Sequence, residues 1–224
     1  MVVLIENLID QETVAQLRAW MAEATFEDGR ATAGGAAARV KNNEQVSSDP
    51  KRRDPKLKEM QELVRDLLWD NALFCAAAQP KKIKPPLFSR YTAGKRYGVH
   101  MDNALMGSMR IDLSITLFLS DPDSYEGGEL VVYFPTGERR VKLPAGSAVL
   151  YPATALHEVT EVTKGERLVV VTWVRSLVRD AAEREILFDL RASTHRLQDL
   201  LGRTTEIDIL SKTFTNLLRR WADD

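Results

Sequence analysis

The chain carries three histidines, His100, His157 and His195, and the first stands two residues before an acid in Tyr97-Gly98-Val99-His100-Met101-Asp102. On an extended segment residues i and i+2 share a face, so an imidazole and a carboxylate can address one ion. His157 comes much later, after Val149 to Tyr151 and before Val159 to Val162, both read as strands. Two imidazoles and one carboxylate occupy one face of an octahedral iron and leave three positions open for substrate and oxygen. Arg167 follows His157 by ten residues and starts the run Arg167 to Val174, also read as a strand. There its guanidinium can point into a β core, where it needs a carboxylate partner to offset desolvation. A diacid that chelates the metal at one end would supply that partner. H-x-D alone is a common chance pattern; the second His and the Arg in the same β region give it weight.

The elements that must bring these groups together can be read from spacing. Residues 2-5 form a short apolar strand. A helix follows with Leu8, Ile9, Val14, Leu17 and Met21 at helical spacing and Asp10 as N-cap. The Gly-rich stretch 27-38 is expected to be a loop or an ill-ordered edge, and the polar stretch with Asn42, Asn43 and Gln45 strand or loop. Residues 55-74 read as one helix with Pro55 in its first turn. From Pro85-Pro86 to about Val174 strands and turns dominate. In Arg110 to Ser120, Leu113, Ile115, Leu117 and Leu119 take one face, and Asp112, Ser114, Thr116 and Phe118 the other. Further strands are expected at Glu129 to Phe134, Arg139 to Leu143 and Ser147 to Tyr151, with Gly127-Gly128 and Lys164-Gly165 as turns. That spacing belongs to a sandwich or jelly roll. Helices are expected at Ala181 to Arg191, Thr194 to Leu201 and Ile207 to Trp221. Residues 1-80 then form a helical and strand support, 81-176 the β core, and 177-224 a helical region.

The metal motif together with Arg167 resembles the Fe(II)/2-oxoglutarate-dependent dioxygenases. Tyr91-x-x-Gly94-x-x-Tyr97-x-x-His100-x-Asp102 is similar to their prolyl 4-hydroxylase-like branch. Val40-Lys41-Asn42-Asn43, Asp112-Leu113-Ser114, Thr116 to Pro122, Glu126-Gly127-Gly128-Glu129-Leu130 and Ile186 to Leu190 more narrowly resemble the bacterial PKHD-type hydroxylases. The resemblance spans nearly the whole chain. It implies a mainly β fold with α, a double-stranded β-helix (jelly roll) core flanked by N-terminal and C-terminal helices. It implies that His100, Asp102 and His157 bind Fe(II), and that Arg167 pairs with the distal carboxylate of 2-oxoglutarate. Tyr91 matches a cosubstrate-binding Tyr, and Trp173 a Trp near the metal; a core aromatic is the plain reading of each. Phe118 stands where some relatives have a Tyr hydroxyl, so Arg167 is expected to find another neighbour such as Ser114 or Thr116. The implied reaction hydroxylates a protein residue or small molecule while 2-oxoglutarate and O2 yield succinate and CO2, with L-ascorbate as an accessory reductant.

Composition restricts the alternatives. Lys plus Arg total 31 and Asp plus Glu 32, a net charge of -1, so attraction to nucleic acid or an anionic membrane is not expected. A single cysteine, Cys75, excludes an internal disulfide framework and Cys-rich zinc sites. The opening lacks a basic leader and no apolar run suits a membrane span, so the expected compartment is the cytoplasm. An iron- or oxygen-linked sensor using the same triad with little turnover, and a cupin-like binding module with an accidental triad, stay open beside the hydroxylase. So does a homo-oligomer. Substrate identity is not legible; Arg39, Lys41, Asn42, Asn43, Gln45, Arg96, Asn103 and Arg110 could line the entrance. His195, in the C-terminal helices, is read as non-catalytic.

Overall fold

A computed structural model of the chain describes residues 1–223. The N-terminal part contains β1 (Val3–Ile5), α1 (Gln11–Glu23), β2 (Phe26–Asp28), a 3-10 turn (Gly29–Thr32), α2 (Gly35–Val40), β3 (Lys41–Asn42), β4 (Glu44–Val46), α3 (Leu57–Asp70) and α4 (Ala72–Ala78). Next come β5 (Pro80–Ile83), β6 (Leu87–Thr92), β7 (Arg96–His100), β8 (Leu105–Met106), β9 (Met109–Arg110) and β10 (Leu113–Phe118). They are followed by β11 (Tyr125–Gly127), β12 (Leu130–Phe134), β13 (Gly137–Val141), β14 (Ala148–Pro152), β15 (His157–Val159) and β16 (Val162–Ser176). Helices α5 (Ala181–Leu201) and α6 (Thr205–Trp221) close the chain.

Two antiparallel sheets hold all the strands but β8 and β9, which pair only with each other. The larger runs β1-β14-β10-β16-β6-β4-β2, with β5 and β11 also on β16; the smaller runs β13-β12-β15-β7-β3. Their facing surfaces share one apolar cluster. Tyr91, Phe118, Val149, Tyr151 and Val169 come from the larger sheet, and Leu130, Val132, Val141 and Val159 from the smaller. The outer face of the larger sheet packs on α1, α3 and α4 through Ile115, Leu117, Leu150 and Val170. The helices offer matching stripes, Val14, Leu17, Trp20 and Met21 on α1 and Leu57, Met60, Val64 and Leu68 on α3. Strand β10 is buried on both faces, apolar toward the helices, with Ser114 and Thr116 turned between the sheets. This is a jelly-roll core with helices at both termini, as the resemblance implies.

Several boundaries differ from expectation. Residues 27-38 are ordered as the end of β2, the 3-10 turn and α2; small side chains give no periodic signal, yet the backbone closes helical bonds. The helix expected over 55-74 begins at Leu57 and is broken at Asn71, whose Oδ1 caps a second helix by accepting from Phe74 N at 2.8 Å. Lys164-Gly165 lies inside β16, because Gly165 (φ +77°) pairs with Tyr125 where an added Cβ would meet Ser124 O at 2.3 Å. Arg167 therefore sits mid-strand. His157 opens β15, so the strand expected at Val159 to Val162 is shifted toward the N-terminus. Residues 181–201 are one helix, with the Thr194 hydroxyl returning its bond to Leu190 O at 2.7 Å.

Candidate metal centre and adjoining cavity

His100 ends β7 and His157 opens β15, and the two are direct partners across that antiparallel pair. Side chains at paired positions emerge on the same face, and the two ring centroids lie 4.3 Å apart. Asp102, on the irregular segment after β7, approaches from the side, with Oδ2 3.7 Å from His157 Nε2. One ligand atom from each of His100, Asp102 and His157 falls within 4.8 Å of the others, a span that one ion can bridge.

Each ligand is aimed by a second contact. His100 Nδ1 lies 2.8 Å from Gly98 O, and His157 Nδ1 3.0 Å from Ala155 O. A carbonyl only accepts, so both Nδ1 atoms carry hydrogen and both Nε2 lone pairs are presented to the centre. Ser114 Oγ donates to Asp102 Oδ2 at 2.5 Å, which ties the carboxylate to β10. Tyr97 stacks on the His100 ring at 3.6 Å and Tyr151 meets His157 edge-on at 5.1 Å. Burial, reinforced by His157, brings His100 down to about 4, so its imidazole is neutral at pH 7 and ready to ligate.

The centre opens into a cavity lined by residues of both sheets, among them Tyr91, Thr116, Leu130 and Trp173. Arg167, 1% exposed, lines it. It is the cross-strand partner of Tyr91, with its guanidinium carbon 5.0 Å from that ring and 5.4 Å from the Phe118 ring. Its Nε, Nη1 and Nη2 are buried and have no hydrogen-bond partner among the described residues. The Tyr125 hydroxyl is near enough for Arg167 to lower its pKa, against a larger rise from burial, without closing a hydrogen bond in good geometry. A fully buried guanidinium with aromatic rings and no carboxylate beside it among the described residues leaves its charge uncompensated. That vacant demand, in a cavity shared with the triad, fits a dicarboxylate cosubstrate. Burial raises the Tyr91 hydroxyl above its ordinary range while Arg167 opposes the shift.

The remaining expected residues divide. Tyr91, Thr116 and Trp173 line the cavity, and the Trp173 indole N–H is buried without an acceptor. The Ser114 hydroxyl is engaged on Asp102. Of the entrance residues, Lys41, Gln45 and Asn103 line the cavity; Arg39, Asn42 and Arg96 border an outer cleft, on which Lys41 also borders. Asn43 is buried. Arg110 points away, to Asp112 at 2.8 Å and Asp223 at 2.6 Å. His195 is exposed on α5. The sequence did not reveal that Lys41 is buried. Its Nζ donates to Thr32 Oγ1 at 3.0 Å and stands 5.2 Å from the Tyr97 ring centroid. Burial lowers Lys41 to about 8, with Asp102 and Asp28 opposing.

Comparison with known proteins agrees with this arrangement. Residues 86–175 match the 2OG-Fe(II) oxygenase superfamily, and residues 181–223 match the PKHD-type hydroxylase C-terminal domain. A PKHD-type hydroxylase of Picosynechococcus sp. is 48% identical over 219 residues, covering 98% of both chains. One from Maricaulis maris is 47% identical over 224 residues, covering all of both. Among solved structures, a Pseudomonas putida prolyl-4-hydroxylase superposes with a TM-score of 0.52 at 21% identity, covering 78% of this chain and 92% of that one. A Trichoplax adhaerens prolyl hydroxylase in complex with a hypoxia inducible factor peptide fragment gives 0.55 at 16%, covering 83% and 86%. These structural likenesses concern the fold. Near-complete coverage at almost half identity, with a triad in place to ligate, makes the chain a member of the PKHD-type hydroxylases, 2-oxoglutarate-dependent enzymes of the 2OG-Fe(II) oxygenase superfamily.

Proposed function

We propose that the protein hydroxylates a C–H bond of an as yet unidentified substrate, a protein residue or a small molecule, at an Fe(II) held by His100, Asp102 and His157. The observation that carries this is the buried Arg167, whose three unpaired nitrogens share a cavity with three convergent metal ligands. When bound, iron and 2-oxoglutarate supply the oxidising chemistry: one atom of O2 goes to the substrate and the other to succinate, with CO2 released.

The protein's own groups do the positioning. Arg167 receives the distal carboxylate of 2-oxoglutarate in a bidentate, charge-assisted contact. Tyr91 stands beside Arg167, and Thr116 and Trp173 line the same cavity. The two Nδ1–carbonyl contacts and the Ser114 hydroxyl hold the ligand atoms in place before the ion arrives. Apolar residues between the sheets exclude water from the cosubstrate end. L-Ascorbate is expected to sustain turnover as a reductant.

The test supplies Fe(II) and 2-oxoglutarate to the purified protein with a peptide and metabolite collection. It follows succinate together with any product heavier by one oxygen atom. Matched formation of both is expected. Iron and 2-oxoglutarate binding without substrate-coupled succinate would favour a sensor, and failure of either to bind would remove the oxygenase reading.

A further inference from the structure

Besides Arg167, the cavity lining carries a second cation, Lys41, that the proposed chemistry does not use. Lys41 is 6% exposed, and among the described residues no carboxylate lies within 4.0 Å of its Nζ. A lysine is rarely buried unless paired. Here the ammonium is held by neutral groups. Nζ donates to Thr32 Oγ1, the Thr32 hydroxyl faces both the Gln45 carboxamide oxygen and Gly29 O, and Gln45 Nε2 donates to Ser89 Oγ at 3.1 Å. Lys41, Thr32, Gln45 and Ser89 line the cavity. This relay fixes the lysine and leaves two of its three N–H donors free. Glu44, the acid nearest in sequence, is paired with Arg90, and Asp28, which acts on Lys41 through space, is engaged by Arg30.

The position relates this cation to the metal. Lys41 Nζ is 5.2 Å from the centroid of Tyr97, and Tyr97 is stacked at 3.6 Å on the ligand His100. A group held by Lys41 therefore lies about one aromatic ring away from the metal centre. The same lining includes Ala33, Gly34 and Ala37, which carry no polar side chain, Met101 and Met106, with Asn103 beside Gly34. Met101 is 53% exposed although it borders the cavity.

We propose that Lys41 is the substrate-recognition residue, and that the substrate is a carboxylic acid with an apolar body, its carboxylate on Lys41 and a C–H bond of the body directed at the metal. A single ammonium among neutral hydrogen-bonding groups matches a monoanion; a phosphate calls for more positive charge. The proposal rests on the oxygenase reading above, which assigns Arg167 to 2-oxoglutarate.

The experiment uses the full chain loaded with Mn(II) and saturated with 2-oxoglutarate, so that the Arg167 end is filled and no turnover occurs. Binding is measured by calorimetry for hexanoate against hexanamide, and for N-acetylleucine against N-acetylleucinamide. The acid of at least one pair is expected to bind about 10-fold tighter than its amide, equivalent to about 1.4 kcal/mol. That ratio is expected to fall to about one in Lys41→Met and to persist in Lys41→Arg. A preference for N-acetylleucine marks a peptide C-terminus, and one for hexanoate a free aliphatic acid. Equal binding of acid and amide, a ratio unchanged in Lys41→Met, or no acid binding at millimolar concentration overturns the assignment. The 2-oxoglutarate titration is run first. Its failure overturns the oxygenase reading, and normal cosubstrate binding with acid–amide indifference overturns Lys41 alone.

Discussion

A buried guanidinium without an acceptor destabilises the protein that lacks its partner, and this makes Arg167 testable in two opposite directions. Arg167→Met keeps the volume and removes the uncompensated charge, so without 2-oxoglutarate the variant is expected to be at least as stable as the parent. Its affinity for 2-oxoglutarate should fall by about 1.5–3 kcal/mol, roughly 10- to 150-fold, from loss of a charged contact. Thermal unfolding with and without cosubstrate checks both, and a variant destabilised without cosubstrate yet stabilised normally by it would place Arg167 in a structural role. His100 gives a pH prediction. Its folded pKa is about 4, and its ordinary value is 6.5. The unfolded chain therefore takes up the proton first as pH falls, so stability present above about 6.5 is lost progressively down to about 4. In the metal-free protein His100→Gln should remove this contribution, with a slope difference of at most about 1.4 kcal/mol per pH unit. Denaturant titrations across pH 4 to 7 measure it, and parallel slopes in the two proteins would refute it.

At the scale of elements, the Gly127-Gly128 pair shapes the wall against Arg167. Gly128 has φ +65°, and a Cβ there would meet Val162 Cγ2 at 2.8 Å and both Arg167 Cδ and Tyr125 Cε2 at 3.0 Å. Gly128→Ala is thus expected to cost about 1–3 kcal/mol through backbone strain and, by displacing the arginine stem, to weaken 2-oxoglutarate binding. Unfolding midpoints with cosubstrate titration separate the two effects. In the sequence this pair reads as a turn, which describes its backbone but misses its side-chain neighbour. The same limit holds elsewhere. Alternation in Leu113 to Phe118 revealed which residues face the interior, because a two-sided strand imposes that pattern directly. His100, Asp102 and Arg167 could be selected from residue type and spacing. The helix Gly35–Val40 could not, since its glycine and alanines carry no amphipathic signal and it is its lodging against β7 and the 3-10 turn that holds it. Nor could the burial of Lys41, which depends on Thr32, Gln45 and Tyr97 meeting from three separate elements.

At the scale of the molecule, the C-terminal segment secures the chain that bears Asp102. Asp223 N donates to Leu177 O at 2.7 Å, and the Asp223 carboxylate receives Arg110 at 2.6 Å. Arg110 also donates to Asp112, which is 7% exposed and accepts in turn from Ser176 N at 2.8 Å. Residues 110 and 112 end the segment that begins at Asp102, so this knot anchors its far side. Arg110→Ala leaves the Asp112 carboxylate without its charged donor, a loss of about 1–3 kcal/mol. It is expected to weaken Mn(II) binding without touching a ligand; a metal titration beside thermal unfolding would show it, and unchanged metal affinity would uncouple the knot from the centre. The pairing of His100 with His157 has a consequence for assembly. A slip of one residue between β7 and β15 would send one imidazole to the opposite side of the sheet. A misaligned chain therefore forfeits the ion, and the ion acts as a proofreader of strand alignment, rewarding only the correctly zipped polypeptide.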